Sequence, residues 1–275
     1  MSALTFTLKS SLAQRLDVSS LTVDRLRDLD ISAIKSILLP LGNRSIPLQD
    51  VFLVEGQDPS EIVFRGKTQK LNKIGLGMTS GLILIEGDAG SYLGMQMKGG
   101  EIRVKGSIDA YGACEMKNGL ILIEGHAGDF LGAALPGNKK GMAGGMVHVK
   151  GNVGARAGDH MRRGALVIDG DTGDYLGSRM TAGTIVVLGR TGRYLGFAMG
   201  RGTLLLAQRP QEILPTFQDC GTHTLGFIPL LLKSFEGLES PLSGMSQSLK
   251  RVHRLAGDTC GLGKGEILIA AGLSA

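Results

Sequence analysis

The chain has 275 residues, a formal net charge of +5 at pH 7 and 43 glycines, and only 4% of its residues are aromatic. This length suits one large domain or two small ones, and a hydrophobic share of 43% excludes intrinsic disorder. The glycines do not follow the G-X-Y period of collagen. The positive charge suits an anionic ligand or an acidic partner, but no zinc-finger or basic–aromatic pattern supports nucleic-acid binding.

The first residues, MSALTFTLKSSLAQRL, lack the continuous apolar stretch of a signal peptide, and no segment reaches membrane-spanning length. Cys114, Cys220 and Cys260 lie far apart, without a C-x-x-C pair. This spacing argues against a disulfide framework, a zinc site and an iron–sulfur cluster held by this chain alone. We therefore expect a soluble, cytoplasmic protein without a membrane segment.

Residues 1–61 are expected to form an N-terminal cap or docking region. The segment LTFTL predicts a strand, and residues 23–39 have the spacing of an amphipathic helix that ends before Pro40. Repeat proteins need caps because the ends of their core are otherwise open to water.

From residue 62 to residue 207 the chain repeats itself with a period of 19 residues. Seven methionines recur 19, 19, 26, 19, 19 and 19 residues apart. They are Met78, Met97, Met116, Met142, Met161, Met180 and Met199. The consensus unit is x-I-x-V-x-G-x-x-G-x-Y-L-G-x-x-M-x-x-G, in which an alternating strand pattern ends at a glycine.

Such a repeat predicts a parallel β-helix, with one turn per unit and the methionines in an internal ladder. The aromatic positions should form a second ladder at one corner. They are Tyr92, Tyr111, Phe130, Tyr175 and Tyr194. Charges at the outer ends of the strands alternate in sign, as in-register stacking requires. They are Glu86, Lys105, Glu124, Lys150 and Asp169.

Residues 208–275 are expected to form a C-terminal cap with helical and strand parts. Residues 225–235 are apolar, and residues 266–271 predict a late strand. Outward strand positions of the repeats are also apolar, which predicts that another element or another chain covers them. They are Leu84, Leu122, Val167 and Val186.

The sequence contains few candidates for catalytic residues, and we expect no catalytic and no metal-binding residue. Cys220 and His223 are the one cysteine and histidine that lie close together in the sequence, as a nucleophile and its base could. No third residue that would orient the base is visible. The glycine segments resemble phosphate loops, but a pattern that recurs in every unit is typical of a structural role. The segment CGLGKGE at 260–266 misses the Walker spacing and predicts a turn before the last strand.

Two features favour a binding role. Basic residues flank the methionines, and an insertion of seven residues between Met116 and Met142 carries two more. In a stack of units, these residues would share an edge that suits an anionic chain or an acidic subunit, and a solvated face is the alternative. The residues are Lys98, Lys117, Lys139, Lys140, Arg162, Arg163, Arg179 and Arg201.

The repeat motif resembles that of a known family. The segment GDTGDYLGSRMTAG at 170–183 is similar to the repeats of the C subunit of formylmethanofuran dehydrogenase and of the C-terminal β-helix domain of the glutamate synthase large subunit. The likeness covers residues 60–207 strongly and the flanks more weakly. The length of the chain favours the dehydrogenase subunit over the synthase domain, and the chain looks like the version in the formyltransferase/hydrolase complex of methylotrophic bacteria.

The resemblance implies an all-β-dominated protein, a right-handed parallel β-helix of about seven turns with small mixed α/β caps. It also implies a non-catalytic scaffold in a complex of one-carbon metabolism, with amidohydrolase-like, formyltransferase and dehydrogenase-like subunits as partners. Those partners would hold the metal and the furfurylamine coenzyme (methanofuran or methylofuran), whose anionic tail the basic edge would suit. This chain alone would bind no cofactor. The alternatives are a glutamate synthase-like β-helix protein and an independent ligand-binding β-helix.

Overall fold

A computed structural model describes residues 2–243 and 249–270, and β-structure dominates them. The strands form one sheet of thirteen and one of four. No helix within these two ranges is long and apolar enough to cross a lipid bilayer.

The N-terminal part of the chain alternates short strands with short helices. Its elements are Ala3–Leu8 (β1), Leu16–Asp17 (β2), Val23–Leu26 (α1), Ile31–Ser36 (α2), Leu38–Leu41 (β3), Arg44–Pro47 (β4), Leu48–Val51 (α3) and Phe52–Glu55 (β5). The expected strand at LTFTL is confirmed. The expected single helix over residues 23–39 is wrong, because the Asp30 carboxylate accepts the N–H of Ala33 at 2.7 Å and begins a separate helix.

The repeats contribute one strand each to the large sheet. The strands of residues 58–206 are Asp58–Arg65 (β6), Leu71–Asn72 (β7), Leu82–Ile85 (β8), Glu101–Val104 (β9), Leu120–Ile123 (β10), Ala143–Val149 (β11), Arg163–Ile168 (β12), Thr184–Val187 (β13) and Arg201–Leu206 (β14). All of them belong to the large sheet except β7, which joins β2, β3 and β4 in the sheet of four. From β8 to β14, each strand pairs in parallel with the strand of the next unit, and equivalent residues face each other. A second row of parallel bridges, from Ala89 to Thr172, links the same units.

The C-terminal part continues the sheet. Its elements are Gln218–Thr224 (β15), Phe227–Lys233 (α4), Arg251–Gly257 (β16) and Lys264–Ala270 (β17). Strand β17 adds in parallel to β14, and β15 and β16 follow it as antiparallel strands. The expected late strand is confirmed as far as Ala270, and residue 271 lies outside the described residues.

The interior of the repeats is lined by aliphatic and methionine side chains. All seven methionines of the column are completely buried, which confirms the predicted internal ladder. Each of the first six points at the glycine that closes the following unit. A Cβ atom on Gly145, for example, would lie 2.7 Å from Cε of Met116. The methyl group of one unit therefore occupies the space that only a glycine leaves free in the next.

A second apolar core lies on the outer face of the repeats. Val167, Val186 and Leu205 point outward and are buried beneath the C-terminal segment. The covering side chains include Ile228, Leu232, Phe235, Leu238, Leu242 and Leu249. The chain thus supplies the predicted cover for its later units itself, while Leu84 and Leu122 in the earlier units stay half-buried.

Polar side chains at the strand ends join successive units. The Asp88 carboxylate accepts the N–H of Ser107 at 2.8 Å, and the Ser107 hydroxyl accepts the N–H of His126 at 3.0 Å. His126, Asn152 and Asp171 continue this acceptor column with distances of 2.7–2.9 Å. Each unit therefore provides an acceptor for a backbone donor of the next one.

The predicted corner ladder of aromatic rings is confirmed, with one interruption. Tyr92, Tyr111 and Phe130 stack with centroid distances of 5.2 and 4.7 Å, and Tyr175 and Tyr194 stack at 4.7 Å. Arg156 takes the aromatic position between the two stacks, and its guanidinium lies 4.5 Å from the centre of the Tyr175 ring. A cation–π contact thus links the unit that lacks an aromatic residue to the unit that follows it.

Candidate functional site

The basic residues that follow the methionines stack along one edge of the repeats. The N–H groups of Lys98, Lys117 and Arg162 donate to the carbonyls of Met78, Met97 and Met142 at 2.7–2.8 Å. These three residues therefore occupy equivalent positions, and Ala143 takes the same position between Lys117 and Arg162. Adjacent units in a sheet are about 4.8 Å apart, so Lys98 and Lys117 are neighbours along this edge.

Arg163 and Arg201 lie one position further along their units. Arg163 opens β12 and Arg201 opens β14, and both side chains are exposed. Among the described residues, none forms an ion pair with Lys98, Lys117, Arg162, Arg163 or Arg201. We call these five residues the basic edge. Its cations are free to meet a ligand or a partner.

Arg179 differs from the basic edge because the chain itself occupies its guanidinium. Two nitrogens of Arg179 contact the two carboxylate oxygens of Asp159 at 2.9 and 2.5 Å. The hydroxyl of Ser178 donates to the same carboxylate at 2.6 Å. Asp159 is only 4% exposed, so Arg179 compensates a nearly buried charge and holds two neighbouring units together.

Lys139 and Lys140 lie in the insertion, where both side chains are exposed. The insertion is anchored by Glu115, whose carboxylate accepts from the side-chain amide of Asn138 at 2.5 Å and from the N–H of Leu135 at 3.4 Å. Burial raises the pKa of Glu115, but donors from Gln96 and Asn138 outweigh burial and hold it below its usual value. Because Glu115 is two residues before Lys117, the insertion is anchored close to the basic edge.

The structure also contains a cavity that the sequence did not predict. It has a volume of about 400 Å³ and lies on the outer face of the repeats, where the C-terminal cover ends. Its lining includes Leu84, Arg103, Leu122, His148, Lys150 and Glu239. Glu101 pairs with Arg103 at 2.5 Å and Glu239 pairs with Lys150 at 2.9 Å, so these cations are already compensated.

A buried histidine forms one wall of this cavity. His148 is 2% exposed, and its Nε2 lies 2.9 Å from Oδ2 of Asp169. The other oxygen of Asp169 accepts the hydroxyl of Ser240 at 2.6 Å, which ties the C-terminal segment to the repeats. The repeat pattern could have indicated this residue, because His148 occupies the outward position that Leu122 has in the preceding unit and Val167 in the following one.

The proximity of Cys220 and His223 does not produce a nucleophile and base. The Nε2 atom of His223 lies 2.7 Å from the backbone carbonyl oxygen of Cys220, not from its thiol. The thiol itself contacts the carbonyl of Gln218 at 3.6 Å. Within residues 2–243 and 249–270, no group of three His, Cys, Asp or Glu side chains is placed to hold a metal ion.

The three thiols are expected to react at different rates with a thiol reagent such as iodoacetamide at pH 8. Cys220 is exposed and should react first. Cys260 is also exposed, but the carboxylate of Asp258 raises the pKa of its thiol, so the reaction of Cys260 should be slower. Burial raises the pKa of the Cys114 thiol to about 12, so it should stay unmodified in the folded protein. Mass spectrometry of peptides from timed reactions gives the order, and early labelling of Cys114 would contradict the packing described here.

Comparison with known proteins shows the family to which the repeats belong. A family model described as the GXGXG motif matches residues 67–219, which include the repeats from Met78 to β14. The chain is also similar to a chain in the crystal structure of the formyltransferase/hydrolase complex from Methylorubrum extorquens in complex with methylofuran. The two are 35% identical, with a TM-score of 0.90 over 97% of this chain and 99% of the other.

Curated relatives come from Methanococcus maripaludis. The C subunit of its tungsten-containing formylmethanofuran dehydrogenase 2 is 30% identical over 97 residues, and the same protein from a second strain is 30% identical over 95 residues. These matches cover 34% of this chain and 36% and 35% of the relatives, so the chain spans about a third of the curated relatives that it matches. The chain belongs to the GXGXG-motif family, and a third of it is similar to the C subunits of formylmethanofuran dehydrogenase.

Proposed function

We propose that this chain is a structural scaffold subunit of a multi-subunit complex of one-carbon metabolism. The complex handles formyl groups on a methanofuran- or methylofuran-type coenzyme, either by transfer and hydrolysis to formate or by formylmethanofuran dehydrogenation. The observation that carries this proposal is the likeness, over 97% of the chain, to a chain of a formyltransferase/hydrolase complex that contains methylofuran. The chain would act in the cytoplasm.

The fold that we propose for the scaffold is a right-handed parallel β-helix of about seven turns. In-register parallel pairing of strands one unit apart, together with the second row of bridges, supports it. We further propose that residues 1–61 and 208–275 cap the two ends of residues 62–207. The three-stranded extension β17–β16–β15 fits this role because it continues the sheet beyond β14.

Catalysis is assigned to the partners, which would be amidohydrolase-like, formyltransferase and dehydrogenase-like subunits. They would hold the metal and the furfurylamine coenzyme. This chain would contribute the basic edge, with Lys139 and Lys140 beside it, as a contact for an anionic group. That group is either the coenzyme tail or an acidic surface of a partner.

Purification of the native protein tests the scaffold assignment. We expect this chain to co-elute with the subunits named above, and the assembled complex to carry the formyl-transfer or formyl-oxidation activity. The isolated chain should show none of this turnover. A monomer that hydrolyses or transfers formyl groups by itself would contradict the proposal, as would a native preparation without such partners.

Charge reversal tests the basic edge. Replacing Lys98, Lys117 and Arg162 by glutamate should weaken binding of the coenzyme or of the other subunits by about tenfold or more, because three unpaired cations become anions. Titration calorimetry with the coenzyme and analytical ultracentrifugation with the subunits separate the two ligands. Reversal of Arg44 and Lys67, which are also exposed, is the matched control and should leave both measurements unchanged. If the triple variant and the double control variant weaken binding equally, the basic edge has no specific role.

A further inference from the structure

An exposed apolar patch lies where the repeats meet the C-terminal extension. Tyr194 is 38%, Phe197 47% and Leu262 65% exposed. We call these three residues the end patch. Two of the few aromatic residues of the chain thus present their rings to water on neighbouring positions of one unit, and such clusters are typical of protein interfaces.

The end patch is held rigidly by the structure beneath it. Tyr194 stacks on Tyr175 at 4.7 Å, and Phe197 meets the same ring edge-on at 5.9 Å. The loop that carries Leu262 is fixed by Asp258, which is 2% exposed. Its carboxylate accepts the N–H groups of Ala198 and Cys260, both at 2.9 Å. A preordered surface loses little conformational entropy when a partner binds to it.

Positive charges surround the end patch. Arg201 and Lys264 are direct neighbours in the parallel strands β14 and β17, and both are exposed. Like charges at directly paired positions of neighbouring strands repel each other. Arg193 adds a third exposed cation. None of these three cations has an ion-pair partner in the described part of the chain.

We propose that the end patch is a docking surface for an acidic protein partner, a subunit that inserts apolar side chains between carboxylates. The apolar centre and the cationic rim of Arg193, Arg201 and Lys264 require this combination in the partner. A second copy of this chain does not provide it, because a net charge of +5 and identical cationic rims oppose self-association. The inference rests on the proposed function, since it assigns a contact to the scaffold in its complex.

The test measures assembly of the full-length chain with the remaining subunits of the complex, purified together. We expect the combined variant Phe197→Ala and Leu262→Ser to raise the dissociation constant at least about tenfold, since buried anchors dominate binding energy. Neutralising Arg201 and Lys264 to alanine should slow association and flatten its dependence on salt. Leu230→Ser is the matched control, because Leu230 is 72% exposed on α4, outside the end patch, and its replacement should leave binding unchanged.

The possible outcomes distinguish a failure of the docking surface from a failure of the proposed scaffold role. Normal assembly of the end-patch variants, with melting temperatures like that of the wild type, would overturn the docking surface and leave the scaffold role intact. Equal losses from Leu230→Ser and the end-patch variants would also overturn it. A wild-type chain that does not bind the other subunits removes both proposals. A dimer of the chain alone, abolished by the end-patch variants, would make a second copy the occupant and refute an acidic partner.

Discussion

Gly145→Ala is expected to lower the free energy of unfolding by about 2–5 kcal/mol. Gly145 has a φ of +80°, where an alanine is strained, and its new Cβ would lie 2.7 Å from Cε of Met116 and 2.8 Å from the carbonyl oxygen of Gly119. The methionine can move, but the backbone oxygen belongs to the sheet and cannot. Urea denaturation followed by circular dichroism measures the change.

Gly137 provides the matched control for this substitution. It has a similar φ of +87°, but no atom lies within 4 Å of the position that a Cβ would take. Gly137→Ala should therefore show only the backbone strain of about 1 kcal/mol. If the two variants were equally stable, close packing between units would not be the reason for the glycine at position 145.

Met116→Ala should destabilise the protein by a similar amount, about 2–5 kcal/mol, through the cavity that it leaves between two units. Met116 is completely buried and lies between the methionines of the neighbouring units. Met95→Ala is the control, because Met95 is half-buried, and we expect a loss below about 1 kcal/mol there. Thermal and urea unfolding of both variants make the comparison.

The two core substitutions should also be coupled. Removing the Met116 side chain relieves one of the two close contacts of an alanine at position 145. The double variant should therefore lose about 1 kcal/mol less than the sum of the single losses. Strict additivity would mean that the methionine methyl and the closing glycine do not share the same space.

Much of the repeat architecture could be predicted from the sequence because each unit obeys the same local pattern. The spacing of Met78 to Met199 predicted a buried column, and the aromatic positions predicted a corner stack. Both predictions concern residues that meet their equivalents one period later. The charge alternation was predicted on the same basis and is only partly realised. Glu86 pairs with Arg65 and Lys105, but Lys150 and Asp169 bind Glu239 and Ser240 of the C-terminal segment.

Contacts outside the period could not be predicted in this way. Ser240 meets Asp169 across 71 residues of sequence, and no repeat fixes that register. The sequence places Arg179 among the basic residues that could bind a ligand, because sequence spacing does not reveal its pairing with the nearly buried carboxylate of Asp159 in the preceding unit. The cavity beside His148 depends on where the C-terminal cover ends, which is a property of tertiary packing. The helix expected over residues 23–39 failed because a local capping contact at Asp30 overrode the longer apolar pattern.

The acceptor column from Asp88 to Asp171 has a consequence for how such a protein can change in size. His126 and Asn152 make the same contact as their neighbours although 26 residues separate them, because the insertion projects sideways and leaves the contact unchanged. Added residues therefore either project from the side or must come as a whole unit that brings its own acceptor and donor. The length of the stack of units can therefore change only in steps of about 4.8 Å, which is the spacing of neighbouring units.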